Sequence, residues 1–326
     1  MMRKRFKATA IAMTATLFGV ATALAQDYPS KPIKLLVTTA PGGIADQLAR
    51  IVSQHITDST KQTVVVENRT GGGGAIAADL AAKSPADGYT VLVGSHATQA
   101  ILPHINPKLS YDPAKDFEQV IHMATFPNLL VVNAKVPAKS VAELVSYAKE
   151  NPGKLNYASQ GNGSSGHMMG AQFKLATGTD IVHVPYRGAA PATQDLVAGQ
   201  VQMMFDSFTV QGPLIEAGST RALAITADKR IASLPNVQTM AEAGYAEVQG
   251  GAWFGIFVPT GTPPSVINWL NTEIRKAFSA ADVRERFQKQ GAQLVLGSPQ
   301  DFSSFVKAES KRWGDVVTKG NIKIEN

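Results

Sequence analysis

Ile33-Lys34-Leu35-Leu36-Val37-Thr38-Thr39-Ala40-Pro41-Gly42-Gly43, followed by Ile44, Leu48, Ile51, Val52 and Ile56, decides the fold class of this 326-residue chain. Residues 33–39 are short and β-prone and read as a strand, whereas the later apolar residues recur at helical spacing. Between them lies a turn built on proline and two glycines. The same unit repeats immediately. Val64-Val65-Val66 centres a second strand, Gly71 to Gly74 leads into an Ala-rich helix ending near Lys83, and Asp87-Gly88 turns the chain into a third strand over 89–93. Strand and helix alternating in this way predict a parallel sheet with helices on both faces.

Working outward, Pro103, Pro107 and Pro113 punctuate a looser stretch, and the apolar run Asn128-Leu129-Leu130-Val131-Val132 begins a second series. Ser140 with Glu143 forms a capping box opening a helix that stops at Asn151-Pro152-Gly153. Residues 155–158 read as a strand, 159–166 as a glycine/serine loop and 167–176 as a helix closed by Gly178. Strands over 181–184 and 201–205 flank a helix containing 193–198, and 221–226 is a further strand. Residues 253–258 form a late strand, and the tail is helical, with Ser298, Pro299 and Asp301 marking the start of its last helix. The two series predict two α/β lobes, each a doubly wound, mainly parallel sheet, joined by more than one crossing with a ligand cleft between them. Lobe 1 is assigned residues 26–125 and 252–326, and lobe 2 residues 126–251.

The N-terminus carries an address. Arg3, Lys4, Arg5 and Lys7 precede an apolar stretch over residues 8–20, and Ala23-Leu24-Ala25 fits a small-x-small cleavage rule. Residues 1–25 are therefore expected to be an export signal cleaved near Ala25. The apolar stretch is too short and too rich in threonine to anchor in a bilayer. The chain holds 31 Lys and Arg against 25 Asp and Glu, but four of those bases and none of the acids lie in the signal. What remains is nearly neutral and shows no basic stripe interleaved with aromatics, which argues against nucleic acid as a partner. There is no cysteine, which excludes disulfides, thiol nucleophiles, Cys metal sites and a lipid-bearing cysteine. The second long apolar run that membrane insertion requires is also absent.

In doubly wound sheets, ligands sit beyond the carboxyl ends of strands, where helix N-termini offer free N–H groups to anions. Two loops suit that role: Thr39-Ala40-Pro41-Gly42-Gly43, and the run from Ser159 through Gly161, Gly163, Ser164 and Ser165. Asp46, in the first turn of the first helix, reads either as a dipole-complementing carboxylate or as a ligand contact. Ser95 and Asp206 end their strands where cleft residues belong. His167 opens the helix after the second loop, as an anion donor or as a structural residue. Gly71 to Gly74 reads as a third loop or as a flexible turn, and Phe126, Phe205, Phe208 and Trp253 as an apolar wall or as hinge packing. The histidines lack metal-ligand spacing, and no Gly-x-Ser-x-Gly elbow or His-Glu-x-x-His is found. No cofactor, metal or catalytic residue is expected.

Six segments in register carry a resemblance: Tyr28-Pro29-Ser30-Lys31-Pro32-Ile33, Pro41-Gly42-Gly43-Ile44-Ala45-Asp46, Glu67-Asn68-Arg69 before Gly71-Gly72-Gly73, Pro85-Ala86-Asp87-Gly88-Tyr89-Thr90, Val184-Pro185-Tyr186-Arg187-Gly188, and 255–263. From about Tyr28 to the end, the chain resembles the substrate-binding proteins of tripartite tricarboxylate transporters, the Bordetella uptake gene family. The resemblance implies a two-lobed periplasmic binding fold closing on a small carboxylated solute, held largely by backbone N–H groups and waters at the first loop, with the second loop contributing. It also implies delivery to integral-membrane transporter subunits. Asp46 matches the family's motif aspartate, which faces the ligand's ammonium in members that take amino acids. Donors from both lobes around one cleft would let a ligand with a carboxylate at each end bridge them, so a dicarboxylate is expected, bound by a monomer. The alternatives are an exported α/β hydrolase acting on an ester or amide, and a binder feeding a signalling receptor.

Overall fold

The computed structural model describes residues 28–322; the expected export signal lies outside the described residues. Strand β1 (Ile33–Val37) pairs in parallel with β2 (Val64–Asn68) and β3 (Thr90–Ser95). Its alternation sorts two cores. Ile33, Leu35 and Val37 pack with Leu48, Val52 and Ile56 of helix α1 (Ile44–Thr60). Leu36 and Leu92 point the other way, toward Ala77, Ala78 and Ala81 of α2 (Ala75–Ala82), whose small side chains permit a close approach. Helices thus cover both faces, as the strand–helix repetition predicts. A wide π turn over Ala97–Ile101 then runs into α3 (Leu102–Ile105).

Next comes β4 (Phe117–Asn133), a single strand of 17 residues. The remaining elements follow in the order α4 (Val141–Glu150), β5 (Asn156–Ser159), α5 (Ser165–Thr177), β6 (Val182–Pro185), α6 (Ala189–Ala198), β7 (Met203–Ser207), α7 (Phe208–Glu216) and β8 (Thr220–Ile225). The chain then returns through β9 (Gly251–Pro259) to α8 (Pro264–Ala277), α9 (Ala281–Lys289), β10 (Gln293–Leu294) and α10 (Pro299–Lys319). The strand order is β2-β1-β3-β9-β4-β7-β5-β6, with β8 and β10 also on β4.

The long strand joins two sheets. Residues 117–127 run antiparallel to β9, and residues 128–133 run antiparallel to β7 and β8. The outer strands of both sheets pair in parallel, β1 with β2 and β3, and β5 with β6 and β7. The crossing strands β4 and β9 add the antiparallel pairs. The sequence shows β4 only from Asn128 because Pro127, a residue that donates nothing to a ladder, interrupts it; in the fold Pro127 lies opposite Gly251, where pairing passes from one sheet to the other. Register shifts between Gln119 and Ile121 and between His122 and Ala124 blur the alternation further.

The caps follow local chemistry. Ser298 and Asp301 exchange both bonds of a capping box at α10. Ser140 accepts from the Glu143 N–H at 3.2 Å, but Glu143 accepts in turn from the Lys139 N–H at 2.6 Å, one residue earlier than a full box requires. Helix α10 straps the two halves. Its Glu309 accepts from Trp253 Nε1 at 2.9 Å and Trp313 Nε1 at 3.2 Å, while Arg312 donates to the Gln249 carbonyl at 2.5 Å and to Gln172 of α5 at 3.3 Å. Among the described residues no helix is long and apolar enough to cross a membrane.

Candidate functional site

The carboxyl ends of β1, β3, β5, β6 and β7 open on one cavity of about 1130 Å³, bounded by loops from both sheets. It is about twice the size of the hollow of about 540 Å³ behind α5 and β6. Thr39, Ala40, Ser95, Ser164, Ser165 and Asp206 are among its walls, as are Phe126 and Phe254. The cap residues Gly74, Gly188 and Ser207 of α2, α6 and α7 also line it, and none of these three helices has a side chain capping its first N–H groups. Ile44, the first residue of the equally uncapped α1, faces the same space. Several helix dipoles therefore aim their positive ends at one volume, an arrangement that favours an anion. Gly71, Gly72, Gly73 and Gly74 all have positive φ, from 57° to 124°, and a Cβ at Gly74 would meet Thr38 and Thr98 side-chain carbons at 2.8 Å. Only glycines let this wall close so tightly.

Pro41, Gly42, Gly43, Asp46, Ser159, Gly161, Gly163 and His167 are not among the walls. Several of them brace the loops from behind. Asp46 is buried and its carboxylate is fully engaged within the protein. One oxygen accepts from the Gly42 N–H at 2.9 Å and Arg50 Nε at 2.8 Å, the other from Asn68 Nδ2 at 3.0 Å and Arg50 Nη2 at 3.1 Å. The bond from Arg50 chiefly, with those from Gly42 and Asn68, overrides burial and holds its carboxyl down at about 2. Asn68 ties the Thr39 carbonyl to the same cluster at 2.9 Å.

In the second loop, Ser164 caps α5 by accepting from the His167 N–H at 3.3 Å. His167 Nδ1 accepts from the Gly163 N–H at 3.1 Å, and its ring stacks on His183 at 4.0 Å. Ser159 Oγ lies 2.7 Å from His183 Nε2 and also bonds Gly161. Burial pushes His167 to about 4; burial and the neighbouring His167 push His183 to about 3. Both are neutral at physiological pH, as the acceptor role of His167 requires. Trp253 and Phe205 are core residues, and Phe208 lines a separate hollow.

Asn128, Gln160 and Arg187 line the cavity without having been singled out as site residues from the sequence. Asn128 depends on the pairing of β4 with β7, which sets it opposite Ser207 and within 3.1 Å of Ser165 Oγ. Arg187 and Gly188 follow β6 just as Thr39 follows β1, so the strand-end rule reaches them too. Among the described residues, Arg187 is the sole Lys or Arg in the walls and Asp206 the sole carboxylate, and His96 is the one histidine. Among the described residues no group of three His, Cys, Asp or Glu is placed to hold a metal ion.

Asp46→Ala should cost about 1–2 kcal/mol at neutral pH, at the low end because Arg50 is 60% exposed and its bond is screened. A carboxyl held low stabilises the fold above its unfolded pKa and stops doing so as pH falls through the folded value. The gap between variant and wild type in urea unfolding should therefore shrink from about pH 4 towards about pH 2. A gap independent of pH would refute the electrostatic brace.

The profile of the family described as "Tripartite tricarboxylate transporter family receptor" matches residues 48–322. Protein BugT of Bordetella pertussis is 37% identical over 309 residues, covering 94% of this chain and 95% of that protein. Two solved structures are similar: R. palustris Rpa4515 with adipate has a TM-score of 0.80 at 38% identity, covering 91% of this chain and 100% of that one. MatC (Rpa3494) from Rhodopseudomonas palustris with bound malate has a TM-score of 0.77 at 34% identity, covering 89% of this chain and 100% of that one. With a profile match over most of its length and relatives aligned nearly end to end, this chain belongs to the tripartite tricarboxylate transporter receptor family.

Proposed function

We propose that this protein captures a small dicarboxylate in the cavity between its two lobes and delivers it to the integral-membrane subunits of a tripartite tricarboxylate-type transporter. Membership of a receptor family makes the chain a binding protein and not an enzyme, which sets the hydrolase alternative aside. The observation that carries the reading is the convergence of uncapped helix N-termini from both lobes on one cavity. A carboxylate at each end of a ligand would engage one lobe with each. The similar structures holding adipate and malate, both dicarboxylates, support the same class. The residues proposed to meet ligand are Thr39, Ala40, Ser95, Ser164, Ser165 and Asp206, with the rest of the two loops, Pro41 to Gly43 and Ser159 to Gly163, holding them in place. The lobes, residues 26–125 with 252–326 and residues 126–251, are proposed to close by bending where β4 and β9 cross. Capture would take place in the periplasm, after export by the N-terminal signal, by a monomer.

A thermal-shift series tests this. Saturation with a dicarboxylate at about a hundred times its Kd should stabilise the protein by about 2.7 kcal/mol, whereas acetate and neutral sugars should leave it unchanged. Stabilisation by sugars alone would overturn the proposal. Mass spectrometry of the natively exported protein should find an organic diacid co-purifying with it.

A further inference from the structure

Asp206 is an anomaly in a cavity arranged for anions. It is the penultimate residue of β7, is 4% exposed, and is the only carboxylate in the walls among the described residues. Its Oδ1 accepts from Gln160 Nε2 at 2.8 Å and from the Ser207 N–H at 2.8 Å, while Oδ2 accepts only from Gln211 Nε2 at 3.2 Å. A carboxylate offers about four acceptor positions, so one on Oδ2 remains unfilled. Gln211 is fully buried and its own Oε1 has no donor. Turning its amide over would present that oxygen to a protonated Oδ2, so the cluster accommodates a proton without moving the backbone.

We propose that Asp206 demands a hydrogen at Oδ2 whenever an anion fills the cavity, and so selects carboxylates that carry a hydrogen-bond donor, a hydroxyl or an ammonium, over unsubstituted dicarboxylates. This rests on the carboxylate-binding reading above. A ligand with a donor supplies the hydrogen itself and leaves Asp206 ionised. A ligand without one brings its bare carboxylates up to the buried Asp206 carboxylate, and the repulsion is relieved by taking a proton from solvent. Burial already raises the Asp206 carboxyl above the usual range, against the opposing bonds from the Ser207 N–H, Gln211 and Gln160.

The charged surroundings are sparse. Arg187 shares the cavity from the β6 side. His96, on the wall formed after β3, is pushed by burial to about 4 and is neutral. His167 of α5 is turned to His183 behind the loop. Leu129 of β4, opposite Asp206, Ser207 at the cap of α7 and Gln211 within α7 carry no charge.

Succinate and malate differ by one hydroxyl, and aspartate replaces that hydroxyl with an ammonium. Calorimetric titration of the full protein with each, at about pH 6.5 and about pH 8.5 in buffers of different ionisation heat, tests the proposal. A complex that binds an extra proton weakens as pH rises, so the Kd of succinate should climb by up to about tenfold per pH unit, with proton uptake seen as a buffer-dependent heat. Malate or aspartate should show neither effect and should bind about tenfold or more tightly than succinate at the higher pH. Whichever of the two binds better identifies the donor. In Asp206→Asn, the new amide can donate to Gln211 Oε1, so the fold should survive, the pH dependence for succinate should vanish and the preference should shrink to about twofold. Equal affinities and equal pH profiles for succinate and malate in the wild type would overturn the inference while leaving the carboxylate reading intact. Binding of none of the three would overturn the inference, and the thermal-shift series over other dicarboxylates then decides the carboxylate reading.

Discussion

Gly251→Ala is expected to destabilise the protein by about 3 kcal/mol or more and to lower its Tm by roughly 10 °C, measured by calorimetry. The reason is space. A Cβ on Gly251 would stand 2.1 Å from the Phe126 carbonyl oxygen, 2.7 Å from Pro127 Cα and 2.8 Å from the Phe126 carbonyl carbon. All three are backbone atoms, so no rotamer change clears them and the strands themselves must part. They are β4 and β9, whose ladder runs from Phe117 opposite Pro259 to Pro127 opposite Gly251. Gly212→Ala in α7 makes a useful comparison, because its nearest atoms are carbons of the half-buried Phe208 ring at 3.0 and 3.2 Å. That ring can shift, and the gain in helix propensity offsets part of the strain, so a change within about 1 kcal/mol is expected. Equal Tm values for Gly251→Ala and wild type would show that β4 and β9 are not held in this register.

The same contact joins stability to function. Phe126 and Ala252, immediately beside the clash, are cavity walls. Forcing β4 away from β9 should therefore weaken ligand binding as well. With no room for even a methyl group between β4 and β9 at this point, the scaffold has little slack beside the site.

How much of this was legible in the sequence follows from what each feature depends on. Strands β1 to β3 and helices α1 and α2 were readable because their signals are local: β-branched runs, helical spacing and glycine turns. The first half of β4 was not, since Pro127 and two register shifts hide it, and only pairing with β9 makes it a strand. Helix α7 was hidden in the same way. Gly212 and Pro213 are poor helix formers, yet the helix continues through them to Glu216. In the site, Thr39, Ala40, Ser95, Ser164, Ser165 and Asp206 were reachable from the rule that ligands lie beyond strand ends. Whether a residue in such a loop faces the cavity or supports it from behind is a matter of tertiary contact. Asp46 and His167 illustrate this, because each is committed by partners distant or unremarkable in sequence, Asn68 for one and His183 for the other.

Arg187→Glu should weaken binding of a dicarboxylate by about thirtyfold to a hundredfold, and Arg187→Ala by about tenfold. Among the described residues, Arg187 is the only Lys or Arg in the cavity walls, is exposed, and makes no hydrogen bond or ion pair to another side chain. Its loss should leave Tm unchanged, which separates an effect on ligand from an effect on fold. At about 6 Å and an effective dielectric of about 40, one charge contributes about 1.4 kcal/mol, and reversing it about doubles the effect. Because the guanidinium is in solvent, the effect should diminish as salt shortens the screening length from about 8 Å at physiological strength to about 3 Å at 1 M. Arg187→Lys discriminates further. If the guanidinium grips a carboxylate with two parallel bonds, lysine should recover only part of the loss, whereas a long-range field should be restored almost fully. An Arg187→Glu variant that binds within twofold of wild type would leave the anion to the helix N-termini, since among the described residues no other Lys or Arg lines the cavity to compensate.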